Sequence, residues 1–327
     1  MGDIDLMVNV ARLYYEDGKT QANIAKELGI TRLSVIDLLK RARAEGIVRI
    51  EIVNPLEDFL PLEESVAKKH GLKRVIVVPS NGDDSAKLPS RLGKRAASYL
   101  DEIIECNDIL GIGWGMTILE TSLQLKDYGR KSIIAVPLIG GGNETHIQYD
   151  VNDITKKFAT AFGGESFSLF APAIVDNKGI HDAIVSDSKI SQIIDFWKRM
   201  NIALIGIGVM TTEFPSVFNA NFAAQPINFK NLGIVGDILS RFYDIDGSNI
   251  TLEMHERMVG IDFETMKKAN TVIGVAGGME KYNAILGAIR GGVINTLITD
   301  EKVARKLDGS EKSNDKSSES NMLNLGG

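Results

Sequence analysis

Apolar positions repeat three and four residues apart through the first forty residues, then give way to short unbroken runs. Between Gln21 and Leu28, Ile24, Ala25 and Leu28 share one helical face. Thr20 stands where a hydroxyl caps a helix start, and Gly29 where the backbone turns left-handed to end one. Thr31 opens a second helix, with Val35, Leu38, Leu39 and Ala42 inward and Arg32, Ser34, Ile36 and Asp37 outward. Upstream, Leu6, Val10, Leu13 and Tyr14 mark another amphipathic helix. Two short helices joined by a glycine turn behind a third predict a helix-turn-helix. The alternating "IVRIEIV" after Gly46 predicts a strand that could form a wing.

Beyond "NPLEDFLPLEE", where Pro55 and Pro61 break the chain, a helix through Val66 leads to "RVIVV". Further apolar runs follow: "DILGIG", "SIIAVPL", "SFSLFAPAIV", "IALIGIG", "TVIGVAG" and "INTLIT". They lack strict polar alternation, as strands buried on both faces do. Helical stretches separate them, such as "KISQIIDFWKRM" with Ile190, Ile193, Ile194 and Trp197 at helical spacing. The predicted fold class is α/β, with a mostly parallel sheet. "ILSRFY" reads as a helix that Asp237 would cap, unless Asp237 binds sugar hydroxyls instead. The polar end "DGSEKSNDKSSESNMLNLGG" reads as a disordered tail. The expected division is a DNA-binding domain at 1–54, an α/β domain at 55–307 and a tail at 308–327.

Charge sharpens the reading of the first unit. The chain of 327 residues carries a net charge of -6, which excludes a whole-protein nucleic-acid coat. Yet Lys19, Lys26, Arg32, Lys40, Arg41, Arg43 and Arg49 outnumber Glu27, Asp37 and Glu45 in one short segment. A local cationic patch suits duplex phosphates, and is favoured over a helical hairpin with solvated charges. Thr20, Gln21, Thr31, Arg32, Ser34, Ile36, Lys40, Arg41 and Arg43 form the expected DNA-contact set. Arg32 and Ser34 would reach base edges, and Ile36 a thymine methyl. Asp37 would select cytosine or pair with Arg41 one turn on. The lone Cys106 suits a reducing compartment, and no signal peptide or membrane span is apparent, so a cytoplasmic protein without membrane contact is expected.

Glycines punctuate the ends of the apolar runs: Gly113 and Gly115, Gly140 to Gly142, Gly206 and Gly208, Gly277 and Gly278. In open α/β sheets ligands sit beyond the carboxyl ends of the strands, where glycine lets backbone N–H groups approach an anion. Converging loops of this kind point to a small anionic ligand. No P-loop or dinucleotide fingerprint is present, so no nucleotide cofactor is expected. His70, His146, His181 and His255 lack metal-ligand spacing, and no metal is expected. Of these, His146, close after the triple glycine, is the one expected at the effector site. Lys281, just past "GGME", reads either as a solvated lysine or as a phosphate contact.

These segments resemble the SorC family of bacterial transcriptional regulators, from about Leu6 to Leu307. The resemblance rests on "YYEDGKTQANIAKELGITRLSV", "DILGIGWGMT", "VPLIGGG", "GDILSRFYDIDG" and "GVAGGMEKYNAILGAIRGGVINTLITDE". "APAIVDN", "GDILSRFYDIDG" and "EKYNAILGA" look most like its sorbose and sorbitol operon subgroup. The resemblance implies a winged helix-turn-helix on a sugar-binding domain related to sugar-phosphate isomerases and CoA transferases. It further implies operator DNA and a phosphorylated sugar or sugar alcohol as partners, a homo-oligomer (dimer or tetramer), and no enzymatic activity. By that resemblance the phosphate would meet Gly113, Trp114, Gly115, Met116, Thr117 and Lys281. The sugar end would face Gly140, Gly141 and Gly142, with Asp237 near the hydroxyls. Asp37 departs from the basic residue frequent in the family. Ile139 replaces an arginine that some bisphosphate sensors carry, which favours a monophosphate. The rival reading is a sugar-phosphate isomerase with a DNA-binding arm, for which Asp176, His181, Asp182 and Glu280 are bases by type alone.

Overall fold

The computed structural model describes residues 3–48, 59–80, 85–129, 131–142, 150–209 and 232–310. The chain divides into two compact units, Met1–Asp58 and Phe59–Gly327. In the first, α1 (Asp3–Tyr15), α2 (Gln21–Leu28) and α3 (Arg32–Ala44) enclose Met7, Val10, Leu13, Ile24, Val35, Leu38 and Leu39. The expected caps are present. Thr20 Oγ1 accepts the Asn23 N–H at 3.3 Å, and Thr31 Oγ1 the Ser34 N–H at 3.0 Å. Gly29 ends α2 at φ 65°, a conformation that strains a side chain bearing a Cβ. Arg49 and the remainder of the expected wing lie outside the described residues.

The second unit opens with α4 (Leu60–His70). Pro61 belongs to its first turn, where a missing N–H removes no helical bond, so it starts the helix rather than breaking the chain. The chain continues through β1 (Arg74–Val78), α5 (Leu88–Ile103), β2 (Ile109–Ile112), α6 (Met116–Leu123), β3 (Ile134–Pro137) and α7 (Val151–Ala161). Next come β4 (Glu165–Ser166), α8 (Lys178–Ser186), α9 (Ser188–Arg199) and β5 (Ile202–Gly206). β6 (Gly236–Ile238), β7 (Arg241–Tyr243) and β8 (Asn249–Ile250) precede α10 (Phe263–Met266) and β9 (Thr271–Val275). Last are α11 (Tyr282–Arg290), β10 (Thr296–Asp300) and α12 (Glu301–Asp308).

Seven parallel strands form one sheet in the order β1-β10-β9-β5-β2-β3-β4. Their side chains alternate between two cores. Val75, Val77, Ala203 and Ile205 meet α4, α9, α11 and α12, whereas Ile76, Val78, Ile202 and Leu204 meet α5, α6 and α7. Burial on both faces explains the unbroken apolar runs. β2 sends its chain toward β3 and β5 sends its chain toward β9, so the order reverses between these neighbours. In open α/β sheets such a reversal is where the ligand crevice forms, beyond the carboxyl ends of the strands.

Two expectations fail. Of "SFSLFAPAIV" only Ser166 joins a strand, and the rest is irregular, tied by single bridges Gly141↔Pro172 and Ile174↔Met258. "ILSRFY" is not a helix but the end of the first strand, the turn and the second strand of a hairpin in a small antiparallel sheet, β6-β7-β8. Leu239 and Ser240 take φ 53° and 61°, the successive left-handed residues of a tight hairpin turn. At the far end α12 reaches Asp308, the residue at which the polar tail was expected to begin. Asp308 accepts a 2.5 Å bond from the Ser65 hydroxyl, and residues 311–327 lie outside the described residues.

Candidate effector site and nucleic-acid interface

The crevice collects the strand-end loops that the sequence singles out. After β2, Gly113 donates its N–H to the Leu204 carbonyl at 2.8 Å, and Gly115 starts α6 at φ 118° with no side-chain cap. Thr117 is buried and donates its hydroxyl to the Val275 carbonyl at 3.0 Å, so that group ties α6 to β9 rather than facing a ligand. Trp114 is half-buried against the apolar core and Met116 is exposed. A Cβ on Gly206 would sit 3.3 Å from the Trp114 carbonyl, so the loops after β2 and β5 touch.

Asp237 is fixed at the end of β5. Its backbone exchanges both hydrogen bonds with Gly208, at 2.9 and 3.1 Å, and a Cβ on Gly208 would overlap its carboxylate. Oδ2 accepts the Ser240 N–H at 3.1 Å across the hairpin turn, whereas Oδ1 is buried and accepts no bond among the described residues. Asp237 therefore caps no helix. Burial raises its carboxyl above the ordinary value, against the pull of the Ser240 N–H and the Lys281 charge. Lys281 is no solvated lysine: Nζ donates to the Ile207 carbonyl at 2.9 Å, and burial lowers its ammonium, opposed by Asp237 and Glu280. The two opposite charges attract, yet no ion pair within 4.0 Å joins them among the described residues.

The third glycine loop behaves differently. Gly140 donates to the Val259 carbonyl and Gly141 to the Ala171 carbonyl, each at 2.8 Å. A Cβ on Gly140 would overlap the Ala171 and Pro172 backbone, so close packing explains that glycine. These two N–H groups are used within the protein, and Gly142 is exposed. His146 lies outside the described residues.

Three residues shape the crevice without having been expected at it: Asp300, Arg241 and His255, the last weighed only as a metal ligand. Asp300 Oδ2 accepts the Gly278 N–H at 2.6 Å, and its Oδ1 accepts the Lys302 and Val303 N–H groups, so it holds the loop bearing Lys281. Arg241 donates to the Gly260 and Ile261 carbonyls, strapping the Asp237 hairpin to the segment bridged with Ile139. His255 accepts the Leu252 N–H on Nδ1 and donates from Nε2 to the Ser240 carbonyl, which makes it a neutral brace under the same turn. Burial pushes it down to about 4. The only legible signals were an Asp before the amphipathic "EKVARKL" and an Arg inside "ILSRFY".

Of the isomerase-type bases, His181 and Asp182 bond to each other at 2.9 Å on α8, beside Lys178, whereas Glu280 adjoins Lys281 and its charge acts on that ammonium. An open cleft of about 740 Å3 between α6 and α7 is lined by Lys126, Lys156, Lys157, Asp127 and Asp153, a mixture that favours neither sign of charge. Among the described residues no three His, Cys, Asp or Glu side chains form a metal cluster, and no helix is long and apolar enough to cross a membrane.

On the first unit, Thr20, Thr31, Arg32, Ser34, Lys40 and Arg43 are exposed, and Gln21 and Arg41 half-exposed. Gln21 Oε1 accepts from Arg32 at 3.5 Å, Arg43 donates to the Tyr15 hydroxyl at 3.0 Å, and Lys19 pairs with Glu27 at 2.8 Å. Arg41 reaches Glu45 at 3.4 Å, and Asp37 is exposed without an ion pair among the described residues, so the expected intrahelical pair is not formed. Ile36 is half-buried, and Leu33, passed over in the sequence, is 77% exposed at the start of α3.

Comparison with known proteins bears on both units. A family model described as "Putative sugar-binding domain" matches residues 54–307. The sorbitol operon regulator of Klebsiella pneumoniae is 36% identical over 309 residues, spanning 93% of this chain and 98% of that protein. The deoxyribonucleoside regulator of Bacillus subtilis (strain 168) is 31% identical over 302 residues, spanning 92% and 96%. The crystal structure of the full-length Klebsiella regulator superposes with a TM-score of 0.79 at 35% identity, covering 94% of this chain and 99% of that one.

Proposed function

The chain belongs to the SorC family of bacterial transcriptional regulators, and from that premise we propose that a phosphorylated sugar bound at the β2/β5 crevice controls its grip on operator DNA. The protein is a DNA-binding regulator of a sugar operon. Its recognition unit is α2 and α3, and its effector is a sugar or sugar-alcohol monophosphate of the sorbose or sorbitol type.

One observation carries the effector assignment. Asp237 Oδ1 is buried and Lys281 half-buried at the crevice; the two attract each other and do not touch. A carboxylate oxygen in need of a donor suits a sugar hydroxyl, and an ammonium with N–H groups to spare suits a phosphate. The uncapped start of α6 adds positive potential at the same place. A ligand shifts an equilibrium only by binding one arrangement more tightly. Here it would bridge the hairpin, the β5 end and the Lys281 loop, and thereby alter how subunits of a homo-oligomer present paired α3 helices.

A thermal-shift panel tests this. Sugar phosphates should raise the unfolding temperature of the full chain, while the matching unphosphorylated sugars leave it unchanged. Equal shifts from both members of each pair would remove the phosphate from the reading.

A further inference from the structure

Leu33 is 77% exposed at the second residue of α3, and the core of that unit does not use it. Isolated exposed leucines are ordinary on most surfaces, but this one stands where a recognition helix meets base edges. Its surroundings are polar: Arg32 and Ser34 flank it, Asp37 lies one turn on, and Lys40 follows. The Thr31 and Ser34 hydroxyls lie 2.8 Å apart and engage each other at the cap, and Ile36 is half-buried. Leu33 is thus the one large apolar side chain fully presented by the first turn of α3.

We propose that Leu33 is a specificity-determining residue that packs on the 5-methyl group of a thymine in each operator half-site. The inference rests on the DNA-binding reading and goes beyond it by assigning one atom group to one side chain. The major groove presents thymine by its methyl, which an apolar side chain recognises. A protein partner fits poorly. A single leucine is far smaller than the apolar centre of a stable interface, and the adjacent Arg32 and the exposed Lys40 of the same helix complement phosphates.

The test selects binding duplexes from a random DNA pool with the full-length chain, then replaces each thymine in turn by uracil, which removes only the methyl. Losing one buried methyl contact should weaken wild-type binding about four-fold per half-site, at one symmetry-related pair of positions. Leu33→Ala, an exposed change that leaves the core intact, should bind the thymine and uracil duplexes equally. A flat uracil scan, or the same uracil penalty in Leu33→Ala, would overturn the inference while leaving DNA binding in place. So would a change in oligomeric state in Leu33→Ala by sedimentation, which would assign Leu33 to contact between copies. Failure to enrich any duplex would instead overturn the DNA-binding reading beneath it.

Discussion

Replacing Lys281 by methionine keeps the bulk of the side chain and removes its charge, so it isolates what the ammonium contributes. Nζ carries three N–H groups, of which one meets the Ile207 carbonyl at 2.9 Å, leaving two for a ligand phosphate. Partial burial already desolvates this ammonium to some extent, so a phosphate need displace less water. A hydrogen bond to a charged group contributes roughly 1.5–3 kcal/mol, which sets the expected loss of effector affinity at roughly 10- to 150-fold. The unliganded protein should respond too. Lys281→Met orphans the Ile207 carbonyl and leaves Asp237 without its nearby cation, lowering stability by about 1–3 kcal/mol. Asp237→Asn removes a desolvated charge, and in the double variant the two changes should not add, because each alone leaves a buried charge uncompensated. Calorimetric titration with the effector found by the thermal-shift panel, together with urea unfolding of the four proteins, completes the cycle. Unchanged effector affinity in Lys281→Met, or strictly additive stabilities, would refute the reasoning.

In DNA titrations across a salt series, Arg32→Ala should relax base preference, while Lys40→Ala should weaken all sequences alike and reduce the salt slope by about one; indistinguishable variants would dissolve the division between base and phosphate contacts. His255 predicts an acid-side loss of stability. Its folded value of about 4 lies below the ordinary 6.5, so its contribution is complete above 6.5 and lost as pH falls toward 4. Allowing for the partly exposed ring, the loss is on the order of 2 kcal/mol. Unfolding curves of wild type and His255→Gln should therefore converge at low pH, and parallel curves would count against the brace. The effector should change intrinsic fluorescence through Trp114, half-buried beside the crevice, and not through Trp197, whose Nε1 donates to the Pro137 carbonyl at 2.8 Å in the core. A response that survives Trp114→Phe and vanishes in Trp197→Phe would relocate the site.

The parallel sheet was legible because burial on both faces leaves a local mark: "RVIVV", "IALIGIG" and "TVIGVAG" are apolar at consecutive positions. The helix-turn-helix was legible for the same kind of reason, since Thr20, Gly29 and Thr31 act within three or four residues of themselves. The hairpin was not. "ILSRFY" offers no glycine or asparagine at its turn, and Leu239 and Ser240 accept left-handed backbone because Asp237 Oδ2 and the His255 ring hold the turn from either side. Those supports lie at or across the turn, and nothing in the local pattern declares them. Glycines at strand ends looked alike in sequence yet divide in space. Gly140 is required by contact with Ala171 and Pro172, whereas Gly208 makes room for the Asp237 carboxylate. The sequence therefore marks where a crevice forms, and only the fold tells which loops turn their polar groups toward it. Asp300 shows the same limit from the other side. It reads locally as a helix cap, but its second oxygen fixes Gly278 and so sets where Lys281 stands. A substitution at Asp300 should consequently disturb effector binding through the loop, even though neither of its oxygens is free to meet a sugar.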